Sequence, residues 1–94
     1  TLGLAEPGKG AEFVAEGNTA RDGIIPINTT GGLIGWGHPV GATGVHQAVT
    51  IWEQLTGNAG DAQIQLSNER AYGMTINMGG DDKSVVCVIY KQAE

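Results

Sequence analysis

A single cysteine, Cys87, denies this chain an internal disulfide, a usage that fits a reducing compartment. Basic side chains are scarce as well: 5 Lys and Arg stand against 10 Asp and Glu, for a formal net charge of −5. A surface of that sign lacks the electrostatic footprint that binds phosphate backbones, which argues against nucleic acid as a partner. No apolar run reaches the ~20 residues a membrane helix needs, and no secretory signal pattern opens the chain. The C-terminal Gln92-Ala93-Glu94 is not the Ser-Lys-Leu peroxisomal address. These absences predict a cytoplasmic location, with neither membrane nor nucleic acid as a partner. At 94 residues there is room for one domain at most, with a modest core. The abrupt start at Thr1, without an initiator methionine, suggests part of a longer polypeptide.

What the chain has in place of these features is glycine, 16 in all. They concentrate in Asn28-Thr29-Thr30-Gly31-Gly32-Leu33-Ile34-Gly35-Trp36-Gly37-His38-Pro39-Val40-Gly41-Ala42-Thr43-Gly44. Such a backbone folds tightly and lets a ligand approach main-chain N–H groups, at an entropic cost that argues for a use. Pro39 biases His38 toward an extended conformation and delays any helix until after it, so His38 belongs to a loop. Downstream, Val45, Ala48, Val49, Trp52 and Leu55 recur at helical spacing with His46, Gln47, Thr50, Glu53 and Gln54 between them. This predicts an amphipathic helix from Thr43 to Leu55, ending at Gly57, with the apolar stripe inward and Trp52 in the core. The amide dipoles at its start point back toward His38, where they favour a neutral ring suited to general-base work, and negative charge developing on a ligand. Thr43 and Asn28 are candidates to cap or pin the loop.

The rest of the chain reads more plainly. Pro7-Gly8 marks a turn, Ala11 to Glu16 a short helix closed by Gly17, and Asn18 to Gly23 a polar loop. Ile24-Ile25-Pro26-Ile27 predicts an edge strand or an extended approach to the glycine loop. Ile64 to Asn68 serves as a connection. Tyr72 to Met78 and Ser84 to Lys91 predict strands, the second buried on both faces because Val85-Val86-Cys87-Val88-Ile89-Tyr90 is nearly all apolar. Gly79-Gly80-Asp81-Asp82-Lys83 joins them as an antiparallel hairpin. On this reading Cys87 is an inert core thiol, Asp81 and Asp82 are solvated turn residues, and His46 is solvated or at a subunit contact.

The pattern Asn28-x-x-Gly31-Gly32-x-x-x-x-Gly37-His38-Pro39-x-Gly41-Ala42-Thr43-Gly44 resembles the histidine loop of thiolases, enzymes that make or cleave 3-oxoacyl-CoA by Claisen chemistry. Leu2-Gly3-Leu4, Pro7-Gly8-x-Gly10 and Leu55-x-Gly57-x-Ala59-Gly60-x-x-Gln63 are similar to the sterol-carrier-protein-type and archaeal-type branch. The resemblance implies an α/β fold: the C-terminal portion of a thiolase C-terminal domain, a helix packed on a mixed sheet that ends in an antiparallel hairpin, with the nucleophile-bearing N-terminal half lying outside this chain.

It also implies roles. His38 would be the catalytic base, taking the proton of a nucleophilic cysteine and then hydrogen-bonding the thioester oxygen. The loop Asn77-Met78-Gly79-Gly80 would present an oxyanion hole through Asn77, Gly79 and Gly80. Gly37, Trp36 and Gly41 would border the substrate, with Trp36 equally suited to simple packing. Coenzyme A enters as acyl carrier, with no bound cofactor and no metal. Expected partners are acyl-CoA, the remainder of the thiolase subunit, further copies in a homo-oligomer, and a small oligonucleotide-fold protein such as archaeal relatives bind. The chain departs from the pattern at Ile76, where the sterol-carrier type has histidine, and at Asp81 and Asp82, where small residues are usual. Those departures leave open a non-catalytic or redirected thiolase-like subunit. A dinucleotide-binding loop, Gly35-x-Gly37-x-x-x-Gly41-x-x-Gly44, is the remote alternative; the acidic residue it calls for falls at Asp61 in a glycine-rich loop.

Overall fold

The computed structural model describes residues 2–66 and 71–93, arranged as two compact units, 1–36 and 37–94. In the first, the Pro7-Gly8 turn closes with the Lys9 amide donating to the Glu6 carbonyl at 2.9 Å, and helix α1 follows over Gly10–Ala15. Its end is tied off by the Gly17 amide on the Val14 carbonyl and by Asn18 Nδ2 on the Phe13 carbonyl at 2.9 Å. Ile24 to Ile27 forms no strand. It runs as an irregular segment whose Ile25 and Ile27 amides donate to the Asn18 and Thr19 carbonyls, each at 3.0 Å.

The glycine stretch holds a helical turn that its composition does not announce, α2 over Gly32–Trp36. Asn28, at φ 49°, reverses the chain, and its side chain lies where a Cβ on Gly32 would come within 3.2 Å of it. A side chain at 32 is therefore disfavoured. Trp36 folds back over the turn, its indole N–H donating to the Thr30 carbonyl at 2.7 Å.

The second unit is built on helix α3, Thr43–Thr56, and the strands β1, Tyr72–Gly79, and β2, Ser84–Lys91. α3 ends where foreseen: Gly57 takes φ 73°, a left-handed conformation that glycine adopts without a Cβ penalty. The strands pair antiparallel from Tyr72 opposite Lys91 to Gly79 opposite Ser84. No parallel strand accompanies them among the described residues, so the sheet here is the hairpin alone. At its turn Gly80, Asp81 and Asp82 all have positive φ, at 61°, 55° and 61°. Aspartate tolerates that region better than most side chains, which accounts for both residues as exposed turn formers.

Strand alternation puts Gly73, Thr75 and Asn77 on one face of β1, and α3 lies against that face. An ideal Cβ on Gly73 would sit 2.5 Å from Cγ2 of Ile51, and one on Gly44 3.7 Å from Oδ1 of Asn77. The helix thus runs antiparallel to β1, with its N-terminus at the C-terminal end of the strand. This docking corrects the predicted inward stripe at Val45, Val49 and Trp52, while Leu55 is buried as expected and Ala48 half-buried. Val45 and Trp52 are 68% and 58% exposed, Val49 is exposed as well, and Gln54 and Leu55 are buried, with Gln47 and Ile51 half-buried. The helix is rotated because Gly73 opens a space that Ile51 fills, and because Gln54 is needed at the next turn.

Gln54 Nε2 donates to the Ala62 carbonyl at 2.8 Å, and its Oε1 accepts from the Ile64 amide at 2.8 Å. Gln63 reciprocates, Nε2 reaching the carbonyls of Gln54 and Ile64 and Oε1 accepting from the Ala59 amide. The two glutamines clamp the one-turn 3₁₀ helix Gly60–Ala62 onto the end of α3. Replacing Gln54 with leucine keeps the bulk but strands the Ile64 N–H and the Ala62 carbonyl, at an expected cost of about 2 kcal/mol. Urea titration of wild type and variant measures it, and an unchanged midpoint would count against the clamp.

β2 is not buried on both faces: within this chain residues 84–89 are exposed and only Tyr90 is half-buried. Cys87 is accordingly an exposed free thiol and not a core one. The reason is topological. α3 covers the β1 face, and nothing among the described residues covers the opposite face, where Met74 pairs with Ile89, Ile76 with Cys87 and Met78 with Val85. Of the connection from Ile64 to Asn68, residues 64–66 are irregular and Ser67 and Asn68 lie outside the described residues. No helix among the described residues is long and apolar enough to cross a membrane.

Candidate functional site

Within the unit 37–94 the candidate residues gather at the start of α3. Gly37, at φ 84°, turns the backbone sharply just before His38 in a conformation that side-chain-bearing residues rarely take. Pro39 follows, and its carbonyl accepts from the amides of Ala42 at 2.7 Å and Thr43 at 3.0 Å, winding the chain into the helix. Pro39-Val40-Gly41-Ala42 is thus a tight lead-in, with Gly41 at its exposed bend.

His38 stands exposed on this lead-in, its Nδ1 2.7 Å from Oγ1 of Thr43. Thr43 is 5% exposed, and its hydroxyl also lies 3.2 Å from the Pro39 carbonyl, to which it donates. This corrects the expectation that Thr43 caps the helix. It is the first helical residue, Ala42 occupies the cap position, and no side chain caps the helix there. The hydroxyl serves His38 instead. Sequence reading missed that pairing because a threonine ahead of a helix signals a cap by default; the available cue is the Pro39-x-x-x-Thr43 spacing, which returns the hydroxyl to the carbonyl of the residue after the histidine.

Asn77 reaches the same turn from β1, its carboxamide 3.7 to 3.9 Å from the place a Cβ on Gly44 would occupy. His38, Thr43 and Asn77 therefore border one end of one helix, where main-chain N–H groups lack intrahelical acceptors. Donors and an imidazole so placed can hold a carbonyl oxygen and exchange a proton beside it. Gly79 and Gly80 lie two and three residues beyond Asn77, at the exposed start of the hairpin turn, with nothing within 4 Å of a Cβ built on either. Ile76, by strand alternation, points to the face away from α3, opposite Cys87, so its side chain takes no part in this cluster.

Trp36 belongs to the other unit, where its indole N–H closes the α2 turn and its ring is 62% exposed. Among the described residues, no three His, Cys, Asp or Glu side chains are grouped to hold a metal ion.

Comparison with known proteins gives a consistent answer. The model of the family described as Thiolase C-terminal domain-like matches residues 1–92. An acetyl-CoA acetyltransferase from Methanothermobacter thermautotrophicus is 41% identical over 91 residues, which cover 97% of this chain and 23% of that protein. Human sterol carrier protein 2 is 40% identical over 90 residues, covering 96% of this chain and 16% of that protein. A second acetyl-CoA acetyltransferase, from Methanocaldococcus jannaschii, is 35% identical over 91 residues, with 93% and 22% covered. The chain thus spans less than a quarter of the length of these relatives. No solved structure matches it. The long glycine-histidine loop, the helix it feeds and the terminal hairpin all fall inside the matched span, and the chain belongs to the thiolase C-terminal domain-like family.

Proposed function

We propose that this chain forms the base-bearing part of a thiolase that transfers acyl groups between CoA thioesters, with His38 as the base. The observation that carries the reading is His38 itself, exposed on the lead-in to α3 and tied through Nδ1 to Thr43, so that Nε2 is the ring nitrogen left for a substrate. A ring so held suits two successive tasks. It takes the proton of a cysteine thiol, so that the thiolate attacks the thioester carbonyl and expels the CoA thiolate; it then hydrogen-bonds the oxygen on which enolate charge develops. The cysteine belongs to a part of the subunit outside this chain. Asn77, with the amides near Gly79 and Gly80, supports the oxygen of the acyl intermediate, while Gly37 and Gly41 keep the histidine loop free of side chains near the substrate. Coenzyme A is the acyl carrier, and the reaction calls on no metal. The assembly is a homo-oligomer, with a small oligonucleotide-fold protein as a further partner.

The relatives named acetyl-CoA acetyltransferase support a short acyl chain, and those named sterol carrier protein 2 support a lipid-related substrate. The test is thiolysis of acetoacetyl-CoA and of a longer 3-oxoacyl-CoA by the full-length protein, followed through loss of the enolate absorbance as CoA is added. Cleavage with ping-pong kinetics is the expected result. Absence of cleavage with every chain length would favour instead a redirected subunit, the reading that Ile76, Asp81 and Asp82 suggest.

A further inference from the structure

We infer that Thr43 is a positioning residue that selects the tautomer of His38: its hydroxyl, anchored on the Pro39 carbonyl, accepts from Nδ1–H and so leaves the lone pair on Nε2. The inference rests on counting hydrogens. A threonine hydroxyl has one hydrogen and two lone pairs, and here its oxygen has two close neighbours, Nδ1 of His38 at 2.7 Å and the Pro39 carbonyl oxygen at 3.2 Å. The carbonyl only accepts; it takes the Ala42 and Thr43 amides at 2.7 and 3.0 Å, and the hydroxyl hydrogen points to it as a third donor. Reversing the arrangement would aim that hydrogen at Nδ1 and leave two oxygens facing each other through lone pairs. Thr43 is 5% exposed, which keeps solvent from repairing such a contact.

With the hydroxyl committed to Pro39, only an N–H at Nδ1 satisfies the remaining bond. A neutral imidazole carries one N–H, so Nε2 is the acceptor. In water a free histidine prefers the opposite tautomer, with hydrogen on Nε2, which is a donor and not a base. The bond also holds the ring plane, because Thr43 is fixed both by its amide on the Pro39 carbonyl at 3.0 Å and by the helix it begins. Protonation at Nε2 is compatible with the same bond, since imidazolium keeps its Nδ1 hydrogen. The ring can therefore accept and return a proton without reorienting. Val40, Gly41 and Ala42 lie between the two residues and none of them carries a polar side chain, so the neighbouring loop offers Nδ1 no substitute hydroxyl.

This deepens the proposed function, and the test separates the two. In the full-length protein, two-bond ¹H–¹⁵N correlation spectra at a pH where the ring is neutral should show His38 Nδ1 as the protonated nitrogen and Nε2 as the bare one. Thr43→Ser should keep that pattern and near-normal turnover. Thr43→Val, which preserves shape and removes the hydroxyl, should shift the pattern toward Nε2–H and lower kcat about 10-fold or more with KM little changed, as expected when the reactive tautomer becomes a minor species. Circular dichroism confirms that the valine variant is folded; if it is not, the serine variant and the wild-type spectrum still decide. A wild-type spectrum with hydrogen on Nε2, or a folded valine variant with unaltered tautomer and kcat, would overturn the inference. A locked Nδ1–H tautomer in a protein that cleaves no 3-oxoacyl-CoA would leave the inference standing and remove the proposed reaction.

Discussion

Replacing His38 with alanine is expected to lower kcat for thiolysis by about 10²- to 10⁴-fold, the range a positioned general base contributes. The fold should survive. His38 is exposed, and the side-chain bond lost with it is the one to Thr43, whose hydroxyl keeps its second contact at Pro39. Because the base acts in the chemical steps, the loss should appear in kcat and in kcat/KM alike, with little change in KM. Single-turnover acylation, read as release of one equivalent of CoA from acetyl-CoA, separates the two tasks of the ring: a base for the thiol is needed there, whereas a donor to the enolate is needed only where the carbon–carbon bond is made or broken. Turnover equal to wild type would remove His38 from the mechanism and shift attention to another proton acceptor.

Putting valine at Gly73 should damage the fold away from the site. Even a single Cβ would stand 2.5 Å from Cγ2 and 3.1 Å from Cδ1 of Ile51. Ile51 is β-branched and sits in a helix, where one χ1 rotamer dominates, so it has little freedom to step aside. A valine gains up to about 1 kcal/mol in strand preference over glycine, against about 3 kcal/mol or more for overpacking a site with no room. The balance is a loss of about 2 kcal/mol, and the physical outcome is a helix pushed off β1. Since the same helix presents Thr43 to His38 and Gly44 to Asn77, thiolase activity should fall with stability. A double variant with Ile51→Ala should recover part of the loss, and additivity of the two changes in denaturant titrations would show that the contact is not the cause.

Several features of this fold were legible from residue order because they are local. The glycine at 57 ends a helix by its own φ, the hairpin residues reverse the chain by theirs, and Pro39 keeps His38 out of the helix whatever surrounds it. The glycine-histidine loop pointed to the right family for a similar reason: its spacing encodes a backbone path, and that path survives in the order of the residues. Orientation was not legible. α3 offers two half-apolar stripes, one through Val45, Val49 and Trp52 and another through Gln47, Ala48, Ile51 and Gln54, and helical periodicity alone favours the more hydrophobic of them. The stripe that docks was settled by the gap over Gly73 and by the carbonyl and amide that Gln54 satisfies, partners 8 and 10 residues away in sequence. For the same reason the apolar run of β2 read as a buried strand, although the described residues cover one face of the pair.

The sequence by itself determined where α1 and α3 end, that the last two strands form a hairpin, and that a histidine would stand on a loop ahead of a helix, since each follows from backbone preferences of a few neighbouring residues. Only the tertiary structure decided which face of α3 meets β1, that Asn77 arrives at the same turn as His38, and that Thr43 bonds the ring in place of capping the helix. Those outcomes depend on space and on hydrogen-bond partners brought together by folding, and no local preference contains them.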